Sequence, residues 1–275
     1  MTSLSAAASI SPSAMLEENL DETGVLRLTL NRPKERNALS SALLDALHQA
    51  IERAGGNDAV RSVVIAANGP GFCAGHDLKE ITAHRRDADG GRLFYEQLFA
   101  SCTRLMSAIR RSSLVFTAEV GGTATAAGCQ LVASCDMAVA SRAARFGVNG
   151  IDSGLFCSTP MVAVARNLPH KLAFELLTTG RLMSAEEAKS AGLVNQVVEP
   201  EALRQATDAL TARLVKRSRA VLALGKRAFY AQIEMDFGEA YDFTERVIVD
   251  NLMMADAEEG IAAFLARRTP VWKDR

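Results

Sequence analysis

Hydrophobic positions along the chain follow two different periods. The segment 26–30 alternates leucine with polar residues, which is the period of a strand, and Arg32-Pro33 ends it. Leu43, Leu47 and Ile51 instead recur every four residues, as on the buried stripe of a helix. The pattern therefore predicts a strand followed by a helix.

Three further segments are apolar almost throughout, at 62–67, 114–120 and 136–140. Such runs are typical of strands that other layers cover on both faces. Residues 184–187, Ser-Ala-Glu-Glu, form a capping box that opens a helix, Gly192 closes that helix, and 193–198 is predicted to be one more strand. Because helices separate several of the strands, the fold class is predicted to be α/β.

The pattern changes at Glu201, after which only helical periods occur. The predicted helices are 201–216, 218–234, 239–251 and 257–267. The chain is thus predicted to have a disordered tail at 1–15, an α/β core at 16–200 and a helical region at 201–275, with a boundary near Pro200.

Composition narrows the class of protein. The 275 residues are 48% hydrophobic and 23% charged, enough for one large core, and the net charge of −1 argues against a nucleic-acid footprint. Five cysteines without C-x-x-C spacing predict neither disulfides nor a zinc site. The first basic residue is Arg27, so no targeting segment is predicted, and no apolar run reaches the roughly 20 residues of a membrane span. We expect a soluble, cytoplasmic protein without membrane insertion.

Two short stretches carry candidate chemistry. Residues 71–78, Gly-Phe-Cys-Ala-Gly-His-Asp-Leu, and 126–130, Ala-Ala-Gly-Cys-Gln, each follow an apolar run. Each places small residues where a backbone N–H must approach a ligand closely. Two such amides can stabilise negative charge that develops on a carbonyl oxygen.

Four ordered motifs together resemble the enoyl-CoA hydratase/isomerase (crotonase) superfamily. They lie at 72–79, 128–136, 177–180 and 191–194, and the resemblance extends from about Leu26 to Trp272. Details at 75–78, 127–130, 154–160 and 270–272 look more like the branch called enoyl-CoA hydratase domain-containing protein 3.

The resemblance implies a crotonase-like spiral of ββα units with a C-terminal helical trimerisation region at 201–275. It also implies a homotrimer or a dimer of trimers that binds an acyl-CoA thioester in a bent conformation. CoA is then part of the substrate, and no separate cofactor or metal is expected. By motif position, the two oxyanion-hole donors are the backbone N–H groups of His76 and Ala127, the latter replacing the family's usual glycine.

The same correspondence implies a set of CoA contacts, with the last two residues supplied by the same or a neighbouring subunit. These residues are Lys34, Ala74, Lys79, Phe264 and Arg267. A lysine suits a phosphate as a mobile point charge. Arg36 could serve in place of Lys34.

The family's hydratases carry two glutamates that position water and exchange protons with the substrate, and this chain has neither. Gln130 and Gly150 stand at those positions, and no glutamate occurs between Glu119 and Glu175. A glutamine orients water but has no titratable proton, and a positioned acid or base is worth about 10² to 10⁴ in rate. Hydration by the usual route is therefore expected to be inefficient.

Four alternatives could replace the missing carboxylates. Asp152 could enter from a position two residues past Gly150, and the imidazole of His76 titrates near neutral pH. Gly150 could leave room for a bound bicarbonate, as in naphthoate synthase-like relatives. Cys157 or Ser158 could act as a nucleophile, although neither has a recognisable histidine partner.

Two functions remain open from the sequence. The first is an enoyl-CoA hydratase/isomerase-like enzyme of fatty-acid metabolism, a lyase or isomerase that stabilises a thioester enolate with a weak or unconventional base. The second is a catalytically inactive acyl-CoA-binding or regulatory homologue that retains the oxyanion hole. Hydration of crotonyl-CoA would separate them.

Overall fold

Two sheets form the α/β part of the molecule. The computed structural model describes residues 15–275. The larger sheet has the strand order β1-β2-β3-β5-β7-β10 and the smaller one the order β4-β6-β8-β9. The strands are β1 (Leu16–Leu20), β2 (Val25–Leu30), β3 (Ser62–Ala67), β4 (Gly71–Cys73), β5 (Val115–Val120), β6 (Thr123–Thr125), β7 (Met137–Ser141), β8 (Arg145–Gly147), β9 (Met183–Ser184) and β10 (Gln196–Val198). All pairs are parallel except β1 with β2 and β8 with β9.

Helices make up most of the described chain outside the sheets. They are α1 (Ser41–Gly55), α2 (Leu78–Ala83), α3 (Arg92–Arg111), α4 (Ala127–Ser134), α5 (Ser158–Val164), α6 (His170–Thr179), α7 (Ala185–Ser190), α8 (Leu203–Leu214), α9 (Arg219–Gln232), α10 (Phe237–Leu252) and α11 (Ala255–Leu265). Within residues 15–275, no helix is both long enough and apolar enough to cross a bilayer.

Several local predictions are confirmed. The apolar runs at 62–67 and 114–120 are the buried strands β3 and β5. Leu43, Leu47 and Ile51 lie on the buried face of α1. The Ser184 hydroxyl accepts the Glu187 N–H at 3.1 Å and so caps α7. The last strand, β10, begins only at Gln196, three residues later than predicted. Apart from Met15, which is buried, the predicted tail of residues 1–15 lies outside the described residues.

Strand β2 is covered on both of its faces. Arg27, which points away from the leucines, is also buried, because α8 packs over it. Its guanidinium lies 2.8 Å from the carboxylates of both Glu119 and Asp208. A buried arginine is tolerated when it is paired in this way. The alternating pattern therefore hid a strand that is covered on both sides.

A buried polar cluster ties α9 to the α/β core. The Lys226 ammonium donates to the Ile109 and Leu114 carbonyls and to Asp136 Oδ2, at 2.7–2.8 Å. The Tyr230 hydroxyl donates to Asp136 Oδ1 at 2.9 Å. Burial lowers the pKa of Lys226 and raises that of Tyr230. Asp136, which directly precedes β7, is thus a structural residue.

Candidate active site

The first candidate donor lies on the turn that follows β4. Gly75 has a φ of +93°, which glycine adopts without strain. The Leu39 N–H donates to the Gly75 carbonyl at 2.7 Å, and the Asp77 N–H donates to the Leu39 carbonyl at 3.1 Å. Because the groups on either side of His76 bond to Leu39, the His76 N–H points the opposite way. It has no acceptor among residues 15–275.

The second candidate donor lies where β6 leads into α4. Ala126 has a φ of +49° and a ψ of −120°, a conformation that costs a non-glycine residue about 1–3 kcal/mol. The N–H of Ala126 donates to the Gly147 carbonyl at 2.9 Å, which fixes the turn. Ala127 is the first helical residue, so its N–H has no acceptor within the helix. It has none elsewhere in the described part of the chain.

These two turns touch each other. A Cβ atom placed on Gly75 would lie 2.9 Å from Ala126 Cβ and 3.3 Å from the Ala127 nitrogen. One placed on Gly128 would lie 2.2 Å from the Cys73 carbonyl oxygen. Only glycine permits approaches this close. His76 and Ala127, which carry the two candidate donors, both line one cavity.

This cavity has a volume of about 500 Å³. We call it the thioester cavity, after the ligand that the sequence resemblance predicts for it. Its apolar wall is formed by Leu78, Ile81, Phe99, Leu155, Phe156 and Pro160. Phe99 could not be identified from the sequence, because its position on α3 is like that of any other helical aromatic residue. No aspartate or glutamate of the described chain lines the cavity, and Arg36 is the charged residue at its wall.

Gly150 lines the thioester cavity, but it does not leave an open space on its side-chain side. A Cβ atom there would lie 2.7 Å from the Leu155 carbonyl oxygen and 2.8 Å from Cys157 Sγ. Both distances are shorter than Cβ contacts in proteins. A glutamate could therefore not simply be restored at this position. The bicarbonate alternative stays a prediction, since the backbone of Gly150 still lines the cavity.

Asp152 does not replace the missing carboxylates. The residue is exposed and is absent from the cavity lining. Its carboxylate faces Gly180, just beyond α6, where an added Cβ would lie 2.5 Å from Asp152 Oδ1. Because Asp152 lies two residues after Gly150, its side chain was expected on the cavity side of an extended segment. That expectation is wrong because Asn149–Ser153 forms a 3-10 turn instead.

Gln130 is buried on α4, but it lines a second cavity, of about 350 Å³, instead of the thioester cavity. Its Oε1 accepts a long hydrogen bond from Cys102 Sγ at 3.9 Å. Thr159 lines both cavities. The glutamine therefore lies about one helical turn beyond Ala127, in the wall of the second cavity.

The His76 imidazole and the cysteine thiols are poor proton acceptors at neutral pH. Both ring nitrogens of His76 are buried without a hydrogen-bond partner, and the ring packs edge-to-face on Phe99 at 5.0 Å. Burial lowers the pKa of His76 to about 4, so the ring is neutral at pH 7. Burial also raises the pKa of Cys157. Neither is matched to general-base chemistry near neutral pH.

The residues predicted to contact CoA do not all come together within one chain. Ala74 lines the thioester cavity, whereas Lys34 does not and Arg36 does. Lys79 lies in an adjoining shallow groove with Arg86. The other two predicted residues, Phe264 and Arg267, are exposed and line neither of these depressions.

Comparison with known proteins decides the family. The sequence profile described as enoyl-CoA hydratase/isomerase matches residues 21–275. The chain belongs to this enoyl-CoA hydratase/isomerase family. Human "Enoyl-CoA hydratase domain-containing protein 3, mitochondrial" is 44% identical over 90% of this chain and 80% of its own length. The predicted similarity to that branch is confirmed.

Solved structures of the family share the fold. An enoyl-CoA hydratase from Mycobacterium smegmatis is 51% identical, with a TM-score of 0.89, over 94% of this chain and 98% of that one. Human enoyl-CoA hydratase domain-containing protein 3 is 42% identical, with a TM-score of 0.89, over 94% of this chain and all of that one. The predicted crotonase-like fold, with C-terminal helices that fit a trimerisation region, is thereby confirmed. The curated human relative is named as mitochondrial, so the cytoplasmic location stays a prediction.

Proposed function

We propose that this protein binds an acyl-CoA thioester with its carbonyl oxygen between the backbone N–H groups of His76 and Ala127. The observation that carries the proposal is that both amides lack acceptors in the described chain and belong to two residues that line one cavity. Donors fixed in this way stabilise the enolate-like oxygen that forms when the α-carbon loses a proton. Each such donor is typically worth about 10² to 10³ in rate.

The same proposal makes the protein an enoyl-CoA hydratase/isomerase-like enzyme of fatty-acid metabolism with a weak or unconventional base. Arg36, Ala74 and Lys79 lie around the mouth of the thioester cavity and its adjoining groove, where they can meet the CoA phosphates. Phe264 and Arg267 of a neighbouring subunit would close the nucleotide end in a homotrimer or a dimer of trimers.

A second candidate function is a catalytically inactive acyl-CoA-binding protein. It is favoured by the acid-free lining of the thioester cavity and by the filled space at Gly150. Both candidates predict binding of a CoA thioester, and only the first predicts proton transfer at the α-carbon. Hydration of crotonyl-CoA at a rate within tenfold of an active relative would exclude the inactive candidate.

Exchange of the α-protons of butyryl-CoA with D₂O, followed by NMR, tests enolate stabilisation without requiring hydration. We expect exchange above the background rate for the wild-type protein. Gly75→Ala should lower that rate by about 10² or more, because the new Cβ pushes the two turns apart. Gly71→Ala is the matched control, since its Cβ would meet nothing closer than 3.9 Å.

Binding is tested in parallel by thermal unfolding. A CoA thioester at 100 times its Kd should add about 2.7 kcal/mol to the free energy of unfolding. No rise in Tm with any CoA thioester at high excess would contradict both candidates. A rise in Tm without α-proton exchange would select the inactive candidate.

A further inference from the structure

The second cavity has a positively charged wall that the proposed reaction does not use. Arg110 and Arg166 both line it, and Asp136 is the acidic residue in its lining. The Asp136 carboxylate already accepts from Lys226, Tyr230 and the Phe116 N–H. Its charge is therefore neutralised by the buried lysine, and the two guanidinium groups dominate the field in the cavity.

One carboxylate oxygen serves both arginines. Glu234 Oε1 lies 2.8 Å from Arg110 Nη2 and 3.3 Å from Arg166 Nε. Glu234 is half exposed and is not part of the cavity lining. The two arginines thus share the single negative charge of Glu234. Each guanidinium has five N–H donors, and Glu234 accepts only one from each. Donors are left over for a second anion at this wall.

Arg110 is held in place without using all of these donors. Its guanidinium stacks 4.7 Å from the centre of the Tyr230 ring. Arg166 uses Nη1 for the Val162 carbonyl, at 3.0 Å. The pair therefore forms a preorganised site for a planar anion, the kind of group that guanidinium groups bind in two-point fashion.

The two cavities follow one another along α4. Ala127 lines the thioester cavity, whereas Gln130 and Ser134, on the same helix face, line the second one. Thr159 of the neighbouring helix α5 belongs to both walls. Gln130 follows Ala127 by three residues, about 4.5 Å along the helix axis, so a medium-length acyl chain that starts at the Ala127 amide is long enough to reach the second cavity.

We propose that the preferred acyl group ends in a carboxylate, which binds Arg110 and Arg166, so that the substrates are CoA monothioesters of dicarboxylic acids. The inference rests on the proposed function, because it places the thioester at the His76 and Ala127 amides. Met106, Val162 and Ile233 supply apolar contacts for the methylene groups. Gln130 lines the second cavity, and its amide N–H₂ group donates to no acceptor in the described chain.

Dissociation constants of matched pairs test the inference: adipyl-CoA against hexanoyl-CoA, and suberyl-CoA against octanoyl-CoA, in low salt. We expect the dicarboxylic member of the better-fitting pair to bind about ten- to a hundredfold more tightly, as charge-assisted hydrogen bonds allow. Arg110→Met and Arg166→Met should each lower that ratio. Arg104→Met is the matched control, since this exposed arginine of α3 lines neither cavity and should leave the ratio unchanged.

A gain-of-affinity variant guards against simple loss of folding. Glu234→Gln removes the competing carboxylate while keeping the side-chain shape, and it should raise the ratio by about threefold or more. Equal affinities within each pair, with no effect of Glu234→Gln, would overturn the inference and leave the proposed function intact. Failure of hexanoyl-CoA and octanoyl-CoA to bind would instead contradict the proposed function.

The carboxylate could also come from a separate small molecule. Free adipate added together with butyryl-CoA distinguishes the two sources. If free adipate raises the Tm of the butyryl-CoA complex at the concentration at which adipyl-CoA saturates, the assignment to the acyl tail is overturned. We expect no such rise, because only the tethered carboxylate has a high effective concentration at the arginines.

Discussion

Single residues shape the candidate site mainly through their backbones. Gly75 and Gly128 let the two turns meet, and Ala126 accepts a strained conformation to aim the first amide of α4. The sequence predicted the turns and their amides, because small residues that follow an apolar run can be recognised within a few residues of the chain. It did not predict that Leu155 and Cys157 fill the space at Gly150, because that contact depends on how the following loop folds back.

The first prediction concerns Gly150. We expect Gly150→Ala to lower the free energy of unfolding by about 1–3 kcal/mol, because its Cβ must displace the Leu155 carbonyl or Cys157 Sγ. Gly55→Ala is the matched control, since a Cβ there meets nothing within 4 Å, and should be stabilising by up to about 1 kcal/mol. Urea unfolding measures both. Equal effects of the two substitutions would contradict the packing described for Gly150.

The second prediction concerns the pH dependence that His76 causes. In the unfolded chain this imidazole takes up a proton as the pH falls through 6.5, whereas in the folded protein its pKa is about 4. The unfolded state then binds more protons, so stability present above pH 6.5 is lost as the pH falls toward 4. Between pH 7 and pH 5, we expect the wild-type protein to lose about 2 kcal/mol more than His76→Gln.

Urea unfolding at both pH values, for both proteins, checks this expectation. The variant serves as its own control for every other titrating group, because only position 76 differs. Parallel losses in the two proteins would mean that the His76 ring is hydrated instead of buried.

At the scale of elements, local sequence signals predicted where the strands and helices lie. They did not predict which residues pack against each element. The apolar strands β3 and β5 and the capped helix α7 follow from periods and caps within a few residues. The burial of β2 on both faces did not, because Arg27 is covered by α8 and pairs with Asp208, far along the chain. That Gln130 lines the second cavity was not predicted for a similar reason, because this depends on how α4 packs against α5.

The third prediction concerns the contact between α9 and the core. Lys226→Met leaves the Asp136 carboxylate buried without its cation, so we expect a loss of about 3–5 kcal/mol in the free energy of unfolding. Lys216→Met, an exposed lysine just before α9, should change it by less than about 0.5 kcal/mol. Chemical denaturation compares the two. A small effect at position 226 would show that Asp136 does not depend on the lysine for its charge balance.

The whole molecule exposes large apolar side chains on its last two helices and around them. Phe237, Met253 and Phe264 are each more than four-fifths exposed. Exposed apolar surface of this extent is typical of an interface between subunits. The helical character of residues 201–275 was predictable from the sequence, whereas the number of subunits is not determined by one chain.

The fourth prediction follows at this scale. We expect the wild-type protein to be a trimer or a dimer of trimers, and Phe237→Glu combined with Met253→Glu to dissociate it, because buried unpaired charges are strongly unfavourable at an interface. Analytical ultracentrifugation measures the mass. Leu20→Glu, on β1 far along the chain from these helices, is the control and should keep the assembly intact. A monomeric wild-type protein would contradict the expectation.

The most direct test of the account is the infrared carbonyl frequency of a bound CoA thioester labelled with ¹³C at the thioester carbon. Two backbone N–H groups that converge on one oxygen polarise the C=O bond, so we expect the band to shift to lower frequency on binding to the wild-type protein. The shift should persist in Gly71→Ala and shrink in Gly75→Ala. A saturating complex whose carbonyl band stays at its frequency in water would contradict the claim that His76 and Ala127 form an oxyanion hole.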